Sequence, residues 1–245
     1  LTSSLRPPLR PANLEVAPTL AVAAASTPDV PVTLATATPE ISTAPAFDRN
    51  ANACSTRLSR AIPRRPGSAA DGTPFIQTLA SASGTTRDAA IAREVLRGNV
   101  PDFLRDLVPV SFTGVLPNGR SAQITICVTP DYLAVGSDRD FVRVPLGLSA
   151  AGQIAEAFDM MLPTTRMVDA IYAQADLRLS PSPMDPTSQM ASTNYFLRHN
   201  ATVEAQRANA GGRLGMLVSG QKKDLVLTNR LARAPGRVAI YGWHR

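Results

Sequence analysis

The chain of 245 residues is short of the side chains that most catalytic and metal sites need. It has two histidines, His199 and His244, which excludes a three-histidine metal centre within one chain. A site of two histidines and one carboxylate remains open, and no metal site or cofactor is assigned. Two cysteines, Cys54 and Cys127, stand in no CxxC pair and leave either one disulfide or two unpaired thiols. No apolar run reaches the length of a membrane-crossing helix. The motifs GxGxxG, GxxxxGK[ST], HExxH and GxSxG are all missing, so the sequence signals none of the chemistries they serve. Aromatic residues are absent before Phe47.

That last absence divides the chain. Residues 1–48 carry eight prolines among runs of Ala, Thr, Ser and Val. So few large side chains cannot bury enough surface to offset the entropy of ordering, which predicts a disordered or extended Ala/Pro/Thr-rich tether. Residues 49–245 then form a single domain, long enough for one substantial core. A tether of this composition, in a chain beginning at Leu1 rather than Met, points to an exported mature protein with a periplasmic or secreted location.

The net charge of +6 raises nucleic acid as a partner. All but two of the 25 basic residues are arginines, scattered and often beside acids. The densest group, Arg49, Arg57, Arg60, Arg64 and Arg65, lacks the interleaved aromatics of single-strand binders. A solvated linker is therefore the preferred account of it, ahead of nucleic acid or another anionic polymer.

Within the domain, helical spacing is predicted at Arg87 to Arg97, from Ala150 to Met161, after Thr164 or Thr165, and from Ser192 to about Ala208. Strands are predicted at Val108 to Val115, Ala122 to Val128, Tyr132 to Val135, Phe141 to Leu146, Leu214 to Val218, Asp224 to Thr228 and Arg237 to Trp243. Asn118-Gly119 marks a tight hairpin between the first two. The expected class is α+β, a mainly antiparallel sheet with helices packed on it.

Candidate chemistry collects at five places. Asp138 and Asp140 stand two apart in the turn Gly136 to Asp140, where two carboxylates could bind a cation or act as an acid and base pair. The alternative is that they bond the turn's own backbone and pair with Arg139 or Arg143. Tyr241, Trp243 and His244 close the last strand at a sheet rim, with His244 placed as a general base and Trp243 as a stacking surface. His199, on the apolar side of its helix with Tyr195, Phe196 and Val203, reads as a hydrogen-bonded core residue. Ser219 and Lys222 have the S-x-x-K spacing of serine acyltransferases, but Gly220 and a following strand argue against that geometry. Cys54 could lie at a helix N-terminus, where a thiol's pKa is lowered and it can act as a nucleophile.

The string Asn52 to Ser59 resembles the segment around the nucleophile of papain-like cell-wall amidases of the type VI secretion effector kind. More extensively, RGNVPDFLRDLVPV (Arg97 to Val110), Asp131 to Leu146, LPTTRMVDAIY (Leu162 to Tyr172), KKDLVLTNR (Lys222 to Arg230) and RVAIYGWHR (Arg237 to Arg245) resemble a family of uncharacterised exported bacterial proteins. The resemblance spans about 150 residues and brings no established activity. It implies a further segment, richer in His and Tyr, beyond Arg245.

The functional expectation is an exported cell-envelope protein with a hydrolase-like site, acting on peptidoglycan, with His244, Tyr241 and Asp138 or Asp140 as its working groups. A non-catalytic module binding peptidoglycan or polysaccharide stays beside it, so whether the protein is an enzyme is left open here. The hydrolase expectation has a geometric condition: the Gly136 to Asp140 turn should lie beside Tyr241 to His244.

Overall fold

The computed structural model describes Cys54 and residues 58–242. The tether, Arg49, Arg57, Trp243 and His244 lie outside the described residues.

The class is α+β. Helices α1 (Gly72–Thr78) and α2 (Gly84–Leu96) come first, and strands β1 (Val108–Val115) and β2 (Ser121–Val128) follow. These strands pair antiparallel along their whole length, from Val108 opposite Val128 to Val115 opposite Ser121. Next come β3 (Ala134–Gly136) and β4 (Phe141–Arg143), the hairpin at the heart of the molecule. Helices α3 (Leu148–Ala157) and α4 (Thr165–Gln174) precede β5 (Leu177–Arg178). Helix α5 (Thr193–Asn209) leads to β6 (Val218–Ser219), β7 (Lys223–Leu225) and β8 (Ile240–Gly242).

The strands do not join into one main sheet. Among the described residues they form four two-stranded sheets, of which β5 with β6 is parallel and the other three are antiparallel. The two strands of the parallel pair flank α5 in sequence, making a small βαβ unit. Two-residue strands carry no alternation to read, so only the folded chain reveals this pairing.

Helix starts follow the side chains that can satisfy their first N–H groups. Thr164 Oγ1 accepts from the Met167 N–H at 3.3 Å, and Ser192 Oγ from the Tyr195 N–H at 3.4 Å. Asp140 does the same from a distance. Its carboxylate accepts from the Thr73 N–H at 3.1 and 3.2 Å and from Thr73 Oγ1 at 2.7 Å, tying the β3–β4 turn to the first turn of α1. Asp138 accepts from the Phe103 N–H at 3.2 Å. Both aspartates thus hold backbone.

The largest core cluster joins the helices to the short hairpin. Ile76, Ile91, Val95, Val135, Phe141, Val142, Ile154, Phe158 and Phe196 pack there, with the Phe103 and Phe141 rings edge to face at 5.1 Å. Helix α1 meets the hairpin backbone to backbone. A Cβ on Gly72 would stand 2.6 Å from Val135 O and 2.8 Å from Phe141 Cα, and one on Gly136 would stand 2.5 Å from Gly72 N. A second cluster sets Val110 against Ala170, Ala175 and Leu217, and the Gln174 side chain bonds both polar backbone atoms of Ser111 at 3.1 and 2.8 Å. That amide covers part of an edge strand.

Cys54 and Cys127 are joined in a disulfide that closes a loop with a sequence separation of 73. It fastens the chain preceding the fold to β2. No helix among the described residues is long and apolar enough to cross a membrane.

Candidate functional site

The hairpin contributes to a polar cluster through its open end, opposite the turn that carries Asp138 and Asp140. Arg143, the last residue of β4, is fully buried. A buried guanidinium must be paired, and this one is. Nε and Nη2 donate to the two oxygens of Asp131 at 2.9 and 2.5 Å, while Nη1 reaches Asn200 Oδ1 at 3.1 Å and Glu204 Oε1 at 2.8 Å. Asn200 also accepts from the Arg143 N–H at 3.1 Å and donates to Phe141 O at 2.9 Å, which ties α5 to β4. Burial works to lower the Arg143 pKa, but the Asp131 and Glu204 carboxylates outweigh it and raise it. For Glu204 burial works upward, and Arg207 and Arg143 overcome it to hold the carboxyl below its usual range.

Above this base lies the run Ser219 to Asp224, between β6 and β7. Gln221 is buried and its amide nitrogen lies 3.4 Å from Asp131 Oδ1, so the base also holds this run in place. Lys222, next in sequence, places Nζ 3.0 Å from Nδ1 of His199 on α5. Burial chiefly, then the Arg143 charge, pushes the Lys222 amine down to about 8 against a partial counter-pull from Asp131. Burial, then Lys222, then Arg143 push His199 down to about 4. The imidazole is therefore neutral at pH 7.

Tyr132 closes the other side. Its hydroxyl contacts Lys222 O at 3.1 Å, Asp224 Oδ2 at 3.3 Å and the Ser219 side chain. Burial and the Asp224 carboxylate push the phenol well above its usual range, so it remains a neutral donor. At the last described residue, Gly242 lies opposite Lys223 in the β7–β8 ladder, and a Cβ there would be 3.1 Å from Lys222 O. The described chain thus ends against this cluster.

The residues singled out in the sequence are distributed otherwise. Asp138 and Asp140 are brought to Phe103 and Thr73, not into the cluster. Tyr241 is exposed and donates to Asp169 Oδ1 at 2.9 Å, which raises the phenol's pKa. Trp243 and His244 lie outside the described residues. Cys54 is bonded to Cys127, so the nucleophile reading of Cys54 and the unpaired-thiol alternative give way to the bridge. In the arginine cluster, Arg65 turns inward and donates to Asn99 Oδ1, Gly136 O and Ala69 O at 3.1, 3.1 and 2.7 Å, which removes it from any phosphate-binding face.

His199 and Lys222 had each been noticed in the sequence, but not together. Twenty-three residues separate them, and nothing in that spacing predicts a contact. Tyr132 and Arg143 lie within predicted strands and Asp131 just before one, a pattern that hides their inward roles. Among the described residues no group of three or more His, Cys, Asp or Glu side chains could hold a metal ion. No known protein family, curated protein or solved structure matches this chain.

Proposed function

We propose that the protein is an exported cell-envelope hydrolase acting on peptidoglycan, with Lys222 and His199 as its proton-transfer centre. The observation that carries this is the 3.0 Å contact between a desolvated amine and a neutral imidazole, beside a network in which Asp131 and Glu204 are ion-paired with Arg143. Hydrolysis needs a group that accepts a proton near neutral pH, and a lysine brought down to about 8 is matched to that task. The buried floor of Arg143, Asp131 and Asn200 supports the pair from below, and Tyr132 supports the backbone carbonyl of Lys222 from the side. The envelope as the place of action draws on the tether's composition and on the Cys54–Cys127 bridge, since disulfides persist in oxidising compartments. His244 and Trp243, two residues beyond the last β8 strand position, stay candidates for the rim of the same site.

The test is digestion of purified peptidoglycan sacculi by the full chain, with released soluble fragments as readout. Lys222→Met and His199→Gln should each lower kcat/KM by about 100-fold or more. The wild-type rate should rise with pH to a plateau above about 8, following the amine. Turnover unchanged in both variants would remove the pair from the reaction, and unchanged turnover in His244→Ala would remove that histidine.

One observation favours binding without catalysis. Tyr241 on β8 is exposed, with Ile240 beside it and Val238 just before the strand exposed as well, and an exposed aromatic ring is a group that can stack on a sugar. Retention on insoluble cell wall without release of fragments would support that second reading.

A further inference from the structure

Lys222 meets His199 at Nδ1, and the choice of atom has a chemical consequence. An ammonium only donates, so while Lys222 is charged Nδ1 must offer its lone pair and the imidazole proton must sit on Nε2. His199 is half-buried, and none of the described residues bonds its Nε2. When Lys222 loses its proton, Nζ keeps two N–H groups and gains a lone pair, so at 3.0 Å it can accept from Nδ1 as well as donate to it. In the accepting arrangement the imidazole proton sits on Nδ1 and the Nε2 lone pair is bare.

We propose that His199 and Lys222 form a proton relay in which His199 Nε2 meets the substrate, Lys222 stores the proton, and the bond cut is an acyl bond, an amide or an ester. The inference rests on the hydrolytic reading of the site. In the base form Lys222 is a neutral amine and His199 carries its proton on Nδ1. Water attacks the acyl carbon. One water O–H bond breaks, that proton goes to Nε2, the Nδ1 proton crosses to Lys222 Nζ, and a C–O bond forms from the water's electron pair as the carbonyl π pair moves onto its oxygen, from where it re-forms the carbonyl when the leaving group departs. The leaving nitrogen or oxygen then takes its electron pair from the acyl carbon and the proton from Nε2, while Nζ returns its proton to Nδ1. One water is consumed, and the pair ends as it began.

An acyl bond fits the carboxylates better than a glycosidic one. Glycosidases work with a pair of carboxyl groups flanking the bond. Here Asp131 and Glu204 are both ion-paired with Arg143. The charged and titratable groups facing the relay are Arg143 from β4, Asp131 from the segment after β2, Glu204 from α5 itself, and Tyr132 with Asp224 beside the Lys222 backbone.

The full chain labelled with 15N-histidine settles the tautomer by long-range proton–nitrogen correlation, and with two histidines His199→Gln identifies the signals. The wild type should show a protonated Nε2 below the lysine's titration and a protonated Nδ1 above it. Lys222→Arg should hold the Nε2–H form throughout, because its guanidinium never deprotonates, and should lose activity as fully as Lys222→Met. An imidazolium forming near the ordinary 6.5, or one tautomer at every pH, overturns the relay. Sacculi digested while the tautomer stays fixed would overturn the relay and keep the hydrolytic reading, and a switching tautomer with intact sacculi would overturn the hydrolytic reading and the acyl assignment with it. New reducing ends in place of new amino or hydroxyl groups would overturn the acyl assignment.

Discussion

Lys222 is held at a cost to the fold. Its amine is harder to keep protonated in the folded chain than in the unfolded one, so between about 8 and the ordinary 10.5 the unfolded state binds more protons and stability rises with pH. Below that window the penalty is present in full. Lys222→Met should therefore raise stability at pH 7, by about 1 kcal/mol once the lost contact to His199 is offset, while it removes activity. Urea unfolding at pH 7 measures this. His199 acts in the same sense lower down: the unfolded chain binds the proton between 6.5 and about 4, so stability falls as pH falls across that range, and His199→Gln should flatten the loss. Arg143 is the opposite case, a charge the fold requires. Arg143→Met leaves Asp131 buried without its partner and should cost about 3–5 kcal/mol, with Arg143→Met/Asp131→Leu costing less than the sum of the single changes. A urea midpoint for each variant checks it. The sequence offers Lys222 and His199 as residue types and Arg143 as a partner for the turn aspartates rather than for Asp131 and Glu204, since a buried arginine at the end of a strand looks like a solvated one until its partners are known.

At the scale of elements, the β3–β4 hairpin is short because its neighbours do the work that further strands would do. Its turn is held by Asp140 on α1 and Asp138 on the Phe103 turn, and its inner face by Ile76, Ile91 and Phe196. The approach of α1 leaves no room for a side chain at Gly72, where the obstructing atoms are Val135 O, Phe141 Cα and Val142 N. Backbone cannot step aside as a side chain tip can. Gly72→Ala should destabilise by about 1–3 kcal/mol and show up as a lower thermal midpoint without a change in the disulfide. Elements of eight residues or more were legible from the sequence because alternation and the 3.6-residue period repeat within them: β1, β2, α2 to α5 all lie close to their predicted spans. Strands β3, β4, β6, β7 and β8 are shorter than their predicted runs, because a tertiary ladder ends where its partner ends and not where the apolar pattern ends, and β5 falls in no predicted strand.

For the whole molecule, the Cys54–Cys127 bridge is the longest covalent constraint. Closing a loop of this length removes conformational freedom from the unfolded chain worth about 4 kcal/mol in the chain-entropy picture. Cys54→Ser/Cys127→Ser should lower the urea midpoint accordingly, and reduction of the wild type should match it. A variant as stable as the oxidised protein would show that the bridge constrains little.

The sequence by itself determined the α+β class, the long helices, the β1–β2 hairpin with its Asn-Gly turn, and the poverty of metal and nucleophile ligands, because each of these is written in composition or in a local period. Which cysteine state holds, which strands pair, and which polar side chains meet were decided only by the tertiary structure. Asp138 and Asp140, two residues apart and conspicuous, turned out to hold backbone. Lys222 and His199, far apart and inconspicuous, turned out to touch. The physical reason is that a contact between distant residues depends on where every intervening element packs, and no local pattern carries that information.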